Sequence, residues 1–395
     1  MTTRDVVLCS PVRTPVGGFN GSLKGVPAVD LGATAIRGTL TRAGLDPSCL
    51  SGVVMGNVVQ AGNRMNPARQ AAIGGGVPVS VPAVTVNRVC GSGAEAIASA
   101  AREVWLGLGD ALVAGGMENM DRAPYLIPGA RFGHRLGPGD LLDAMLTDGL
   151  HDAFSGRHSG WHAEDLVARM EISREAQDRW AARSQQRFAA AAAAGAFEAE
   201  IVPVAVPGKG GATTSFEADE APRPDTTAES LARLKPAFRD TGTITAGNAP
   251  GLNAGAAAMI VADRAYADLH GFAPFGRLVA YGLAAVEPEL FGLGPVSAVT
   301  QALDRAGWTL ADVHRVEINE AYAAIALAVM RAVGFPEAIV NVEGGAIAHG
   351  HPIGATGALL TTRILHSMRR DGLKRGIVTL CIGGGQGIAL AVEVI

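Results

Sequence analysis

Val86-Asn87-Arg88-Val89-Cys90-Gly91-Ser92-Gly93 and His349-Gly350-His351-Pro352-Ile353-Gly354-Ala355-Thr356-Gly357 each place a reactive side chain where the chain turns into a helical pattern. After the first, Ala94–Leu106 reads as a helix stopped by Gly107 and Gly109. A strand comes next, running into Ala114-Gly115-Gly116-Met117-Glu118. After the second, Thr356–Met368 reads as a helix, and the next strand ends in Leu380-Cys381-Ile382-Gly383-Gly384-Gly385. The two stretches look like degenerate copies of one unit: reactive residue, helix, strand, glycine cluster. Convergence of two such units would bring Cys90, His351 and Cys381 together.

Working outward, short apolar runs alternate with alanine-rich helical stretches over most of the chain, which predicts α/β architecture. Val6–Cys9, Gly52–Met55, Ala83–Val86 and Ala111–Ala114 read as strands, and Asp30–Ala43 as a helix. Toward the other end Val313–Ile318, Ile377–Cys381 and Ile388–Val394 read as strands, and Ala321–Val333 as a helix. The middle, from about Glu118 to Pro250, holds long polar loops around two helical patterns. One of them starts at Ser173 as N-cap, with Glu175 in its first turn, and runs to Gly195. Pro203, Pro207, Pro222 and Pro224 break the chain beyond Gly195, so this segment reads as an insertion lying over a site built by the flanking halves.

The 395 residues suffice for two or three domains, and 48% apolar against 18% charged content fits an enzyme with much buried structure. Thirty-three Lys and Arg against 37 Asp and Glu give a net charge of −4 with no basic block, which argues against nucleic acid or an anionic membrane as partner. The cysteines, Cys9, Cys49, Cys90 and Cys381, show no zinc-like spacing, so no metal is expected. Met1-Thr2-Thr3-Arg4-Asp5 lacks a charged-then-apolar signal, and no run of about 18 apolar residues offers a membrane span. A reducing, cytoplasmic location with free thiols is the expectation.

Cys90, flanked by Gly91 and Gly93 at a strand-to-helix turn, would meet unpaired N–H groups and the positive helix end. Both would lower its pKa, and the same N–H groups could hold an oxyanion. A thiol needs a base; His351 suits, Gly350, Gly354 and Gly357 would let a substrate approach, and His349 competes with it. Cys381 precedes three glycines, but GxGxxG spacing is absent and only eight residues follow Gly387, so a dinucleotide site fails. A second thiol facing the first is better read as a proton-transfer group. Asn319 and Glu320, between a strand and a helix, read either as a simple cap or as an amide that positions water or an oxyanion.

Together, Asn87–Gly93, Asn319-Glu320-Ala321-Tyr322-Ala323, Gly350–Ala355 and Cys381–Gly385 resemble the four signature motifs of the thiolase family. Further likeness lies in Arg13–Gly17, Asn66–Gln70, Ala114–Glu118 and Thr245–Asn248, so the resemblance spans the chain. It implies a five-layered αβαβα fold of two similar halves with an inserted loop domain. The N-terminal half would comprise residues 1–119 plus about 251–273, the insertion 120–250, and the C-terminal half 274–395. It further implies a ping-pong mechanism on acyl-CoA thioesters, with coenzyme A as substrate or product and no cofactor. Cys90 would carry the acyl group, His351 would take its proton, and Cys381 would shuttle the α-proton of acetyl-CoA. One oxyanion hole would use His351 and a water held by Asn319, the other the N–H groups of Cys90 and Gly383. The resemblance also settles His349 as a neighbour rather than the base.

Within the family, His158 and the length of Arg122–Asp143 resemble the biosynthetic, acetoacetyl-CoA-forming type, in which that loop pairs dimers into homotetramers. His158, Ser159, Arg223, Phe238, Ala246, Pro250 and Phe291 fall at substrate- or CoA-binding positions. Pro250 stands where a Ser is usual, Ala254 for an Asp, Ser159 and Phe291 for Met, and His349 for an apolar residue. These departures bear on CoA contacts and acyl specificity. A 3-ketoacyl-CoA thiolase for longer or branched chains is the nearest alternative; a non-catalytic acyl-CoA-binding scaffold and a cofactor-dependent oxidoreductase are the others. Residues 120–250 hold 14 Lys and Arg against 18 Asp and Glu, so no general basic surface awaits nucleotide phosphates.

Overall fold

The computed structural model describes residues 4–395, so Met1, Thr2 and Thr3 of the N-terminal stretch lie outside the described residues. The N-terminal half contributes strands β1 (Val6–Arg13), β2 (Gly52–Gly56), β3 (Ala83–Val86), β4 (Ala111–Asn119) and β5 (Asn253–Asp263). The C-terminal half contributes β6 (Pro274–Ala285), β7 (Arg315–Ile318), β8 (Arg375–Ile382) and β9 (Gln386–Val394). In the first half, β1–β5 and β5–β4 pair antiparallel, while β4–β2 and β2–β3 pair parallel. In the second, β6–β9 and β9–β8 pair antiparallel, β8–β7 parallel, and Val316 forms a parallel bridge to Val340 where a fifth strand would stand. The same succession of pair types in both halves is the repeat that the two glycine-rich turns predicted.

Pairing of β1 with β6 joins the halves edge to edge. The helices that follow the two turns, α3 (Ser92–Leu106) and α8 (Thr356–Arg370), lie between the halves. Ile97 and Val104 of α3 share one core with Leu359, Ile364 and Met368 of α8 and with inward residues of both halves. Outside the first half pack α1 (Ala28–Ala43) and α2 (Pro67–Gly74); outside the second pack α6 (Gly294–Ala306) and α7 (Ala323–Val333). The result is the expected αβαβα layering.

Between β4 and β5 the inserted segment carries α4 (Ser159–Arg169) and α5 (Arg174–Ala193). The Ser173 hydroxyl caps α5, accepting from the N–H of Ala176 at 3.2 Å. Among the described residues, no helix is long and apolar enough to cross a membrane, and no group of three or more His, Cys, Asp or Glu is placed to hold a metal ion.

The glycines of the two turns do a different job from the one the sequence suggested. A Cβ on Gly354 would fall 2.9 Å from the Cα of Asn57, and one on Gly93 would fall 2.6 Å from the backbone N of Ala358. A Cβ on Gly357 would overlap the backbone of Ala94. These hydrogens face protein, not substrate: α3 and α8 cross backbone to backbone at their first turns. Gly357→Ala should therefore lower stability by at least about 3 kcal/mol, the upper end of ordinary overpacking, because no flexible side chain can yield. Denaturant unfolding would read this directly, and an unchanged midpoint would show that the crossing is not close.

Candidate active site

Cys90 sits on a strained corner. Val89, immediately before it, adopts φ 43°, a left-handed conformation that costs a β-branched residue roughly 1–3 kcal/mol. Neighbouring polar groups hold it there. The N–H of Val89 donates to Asn87 Oδ1 at 2.9 Å, the N–H of Arg88 donates to Ser92 Oγ at 2.8 Å, and Ser92 Oγ donates to the Val89 carbonyl at 2.7 Å. Arg88 is itself anchored to Glu95 at 2.9 Å. The corner turns the thiol toward a cavity of about 430 Å³.

The thiol does not behave as the turn alone suggested. N–H groups of Gly383 and of Cys90 itself donate toward the sulfur and lower its pKa, but burial outweighs them and pushes it up to about 11. Cys90 is therefore protonated at rest, and its activation requires a base rather than a helix end alone. Cys381, within β8 and 1% exposed, is also pushed well above its ordinary value, first by burial and then by the neighbouring Cys90. Two neutral thiols thus lie within electrostatic reach of one another, with the Gly383 amide directed at Cys90.

His351 lines the same cavity. Its backbone N–H donates to Asn253 Oδ1 at 2.8 Å, fixing the loop to β5. Thr356 Oγ1 donates to the Pro352 carbonyl at 2.9 Å, so toward His351 it can only accept, from Nδ1–H at 2.7 Å. That leaves the Nε2 lone pair facing Asn319, whose Nδ2 lies 3.4 Å away. Burial pushes the imidazole pKa down to about 4, so it is neutral and able to accept a proton. His349, fully buried and tilted against the Phe188 ring at 6.0 Å, lies outside the cavity lining. The helix following Asn319 starts only at Ala323, so Asn319 is not its cap. Its amide turns to His351, and its Oδ1 has no partner among the described residues.

The cavity roof comes from the insertion. His158, Ser159, Phe238, Ala246 and Pro250 line it, with Phe291 and Tyr322 from the C-terminal half. His158 stacks on Phe238 at 4.6 Å, and burial lowers its pKa to about 4. Arg223 is exposed and outside the lining, and Ala254 is buried in β5 opposite Gly17.

Three supporting roles escaped the sequence reading, which named Glu320 only beside Asn319 at the strand-to-helix junction. Glu118 accepts from the N–H groups of Val58 (3.0 Å), Val59 (3.3 Å) and Gly354 (3.0 Å) and from Asn57 Nδ2 (2.7 Å), tying the His351 loop to the N-terminal half. Glu320 accepts from Trp180, Ser184 and Asn341 side chains and from the Ile347 N–H, tying α5 to the C-terminal half. Thr356 orients the imidazole. All three lie in or beside the motifs, but spacing gave no sign of which partner each would meet.

The sequence matches the thiolase N-terminal domain over residues 6–265 and the thiolase C-terminal domain over residues 272–394. It is 50% identical over 387 residues to an acetyl-CoA acetyltransferase of Pseudomonas aeruginosa, covering 98% of each chain. To an acetyl-CoA acetyltransferase of Escherichia coli it is 48% identical over 391 residues, covering 99% of each. The solved structure of Bacillus anthracis acetyl-CoA acetyltransferase aligns with a TM-score of 0.97 at 40% identity, covering 100% of this chain and 99% of that one. Human mitochondrial 3-ketoacyl-CoA thiolase aligns equally well, with a TM-score of 0.97 at 39% identity over 100% of both chains. With both domains matched in order and the repeat present in the fold, the chain belongs to the thiolase family.

Proposed function

We propose that this chain is an acyl-CoA:acetyl-CoA C-acyltransferase, condensing two acetyl-CoA to acetoacetyl-CoA and CoA or running the reverse thiolysis. The observation that carries the reading is the meeting of Cys90, a neutral His351 and Gly383 at one cavity, with Cys381 buried close enough behind them to feel charge on Cys90. The acetyl-CoA acetyltransferase relatives at near 50% identity support the acetyl-specific form.

In this reading His351 Nε2 takes the Cys90 proton as sulfur attacks the thioester carbonyl. The oxyanion is received by the N–H groups of Cys90 and Gly383, which already point at the sulfur. CoA leaves with the Cys381 proton, producing a Cys381 thiolate beside protonated His351. A thiolate whose pKa burial has raised is a strong base, which suits removal of a weakly acidic α-proton from acetyl-CoA. The resulting enolate, held by His351 Nε2–H and the Asn319 site, attacks the acyl carbon. Cys90 leaves and recovers its proton from His351, so all three groups return to their starting states.

The reaction needs no cofactor, and coenzyme A enters as substrate and product. We assign a homotetramer on the exposed arm joining Tyr125–Leu126 to Leu142–Asp143, where Phe132 is 91% and Leu136 99% exposed. Four free cysteines agree with a reducing, cytoplasmic setting.

Cys90→Ser should nearly abolish covalent labelling by acetyl-CoA, whereas Cys381→Ala should still acylate at Cys90 but fail to condense. Undiminished turnover in the first, or intact condensation in the second, would dismantle these roles. Thr356→Val should reduce kcat by about 10–100-fold with KM little changed, as expected when an orienting partner is lost, and Thr356→Ser should restore it. A KM effect alone would demote Thr356 to packing. Thiolysis rates across 3-ketoacyl-CoA chain lengths should fall steeply beyond acetoacetyl-CoA; an optimum at longer chains would favour the degradative alternative.

A further inference from the structure

Ser159, the first residue of α4, and Tyr322, just before α7, both line the cavity and hydrogen-bond to each other at 3.0 Å. This contact joins the roof to the floor of the acyl-binding end. The Tyr322 hydroxyl lies near both reacting thiols, since charge on Cys90 or on Cys381 would raise its pKa further. Phe238, edge-on to Tyr322 at 5.9 Å, and buried Phe291 make the surroundings apolar.

The two hydroxyls carry two hydrogens, and their mutual bond uses one. Neither oxygen has another partner among the described residues, so the second hydrogen has no protein acceptor. Ser159 is half-buried and open to the cavity, so the hydrogen becomes unsatisfied when an alkyl chain covers it, at a cost of roughly 1–3 kcal/mol that a substrate oxygen of suitable reach would avoid. A pocket serving only alkyl chains has no use for such a group. The charge of the lining narrows the class further: Asp148 and Asp152 line this cavity, and no Lys or Arg does among the described residues. An acyl group ending in a carboxylate would meet repulsion and no counter-charge.

We propose that Ser159 and Tyr322 form a polar subsite that selects acyl groups bearing a neutral hydrogen-bond acceptor, a hydroxyl or keto oxygen, over alkyl groups of equal size. The assignment rests on Cys90 being the acyl carrier. Sites built to hydrogen-bond a substrate discriminate against analogues lacking the group far more strongly than apolar pockets discriminate by a methylene.

The test is acylation of Cys90 followed by intact-protein mass spectrometry, comparing 3-hydroxypropionyl-CoA with butyryl-CoA and 4-hydroxybutyryl-CoA with valeryl-CoA. The hydroxylated member of at least one pair should acylate about tenfold faster, equivalent to ~1.4 kcal/mol. In both Tyr322→Phe and Ser159→Ala that ratio should fall to about one. Ratios at or below one in both pairs with the native protein, alongside normal acetylation, would overturn the subsite while leaving the acyltransferase reading intact. Preference for succinyl-CoA would overturn the neutral-acceptor assignment. Absence of acylation by every thioester, acetyl-CoA included, would instead overturn the reading of Cys90 and the subsite with it.

Discussion

The backbone crossing of α3 and α8 sets the geometry on which the site depends. Each helix begins a few residues beyond a reactive side chain, Cys90 before one and His351 before the other. Gly93 and Gly357 remove the side chains that would hold the two first turns apart. Glycine in a helix costs about 1 kcal/mol against alanine, so its use at both contacts reflects geometry rather than propensity. Gly354 and Gly116 extend the same contact, and Glu118 closes it with four accepted hydrogen bonds from two halves of the fold.

That dense junction also determines the electrostatics. Burial pushes the Glu118 carboxyl up to about 7, the Cys90 thiol to about 11, and the His351 imidazole down to about 4. Every shift favours the uncharged form. The two thiols and the imidazole therefore rest uncharged, and in the proposed mechanism charge appears there only when a thioester brings an electrophile and the amides take up its oxyanion. Burial of a lone thiolate would be costly; burial of a thiol–imidazole pair awaiting substrate is not.

Much of this was legible in the chain. The repeat, the α/β class, most of the regular elements to within a few residues, and the convergence of Cys90, His351 and Cys381 follow from motif and periodicity. Strands β5 and β6 did not: Asn253–Asp263 and Pro274–Ala285 are rich in alanine and glycine, poor strand formers by propensity. They are strands because they are central to the sheet, where small side chains permit close approach; a Cβ on Gly282, for example, would strike the Ala298 carbonyl of α6. The depressed thiol pKa expected for Cys90 failed for a related reason. Sequence shows the helix end and the glycines, but not how much protein surrounds the sulfur. Spacing alone did not choose between His349 and His351; the family resemblance did, and in the fold one ring packs against Phe188 while the other lines the cavity.

Chemistry and specificity are consequently built from different kinds of structure. The reacting groups ride on turns and strand ends of the repeated halves, locked by glycine contacts that tolerate no added atom. The acyl-facing groups come largely from the insertion, which is held by backbone bonds at Arg13 and Val16 and, beside the cavity, by side chains: Glu320 to Trp180 and Ser184, and Ser159 to Tyr322. Side-chain contacts can be exchanged without moving the backbone that carries Cys90 and His351. Tyr322 stands at the border, one step from α7 and within electrostatic reach of both thiols, while its hydroxyl is engaged by the insertion. A change at Ser159 therefore alters what the acyl group meets through Tyr322, and it does so without touching the crossing that brings the two halves of the reaction together.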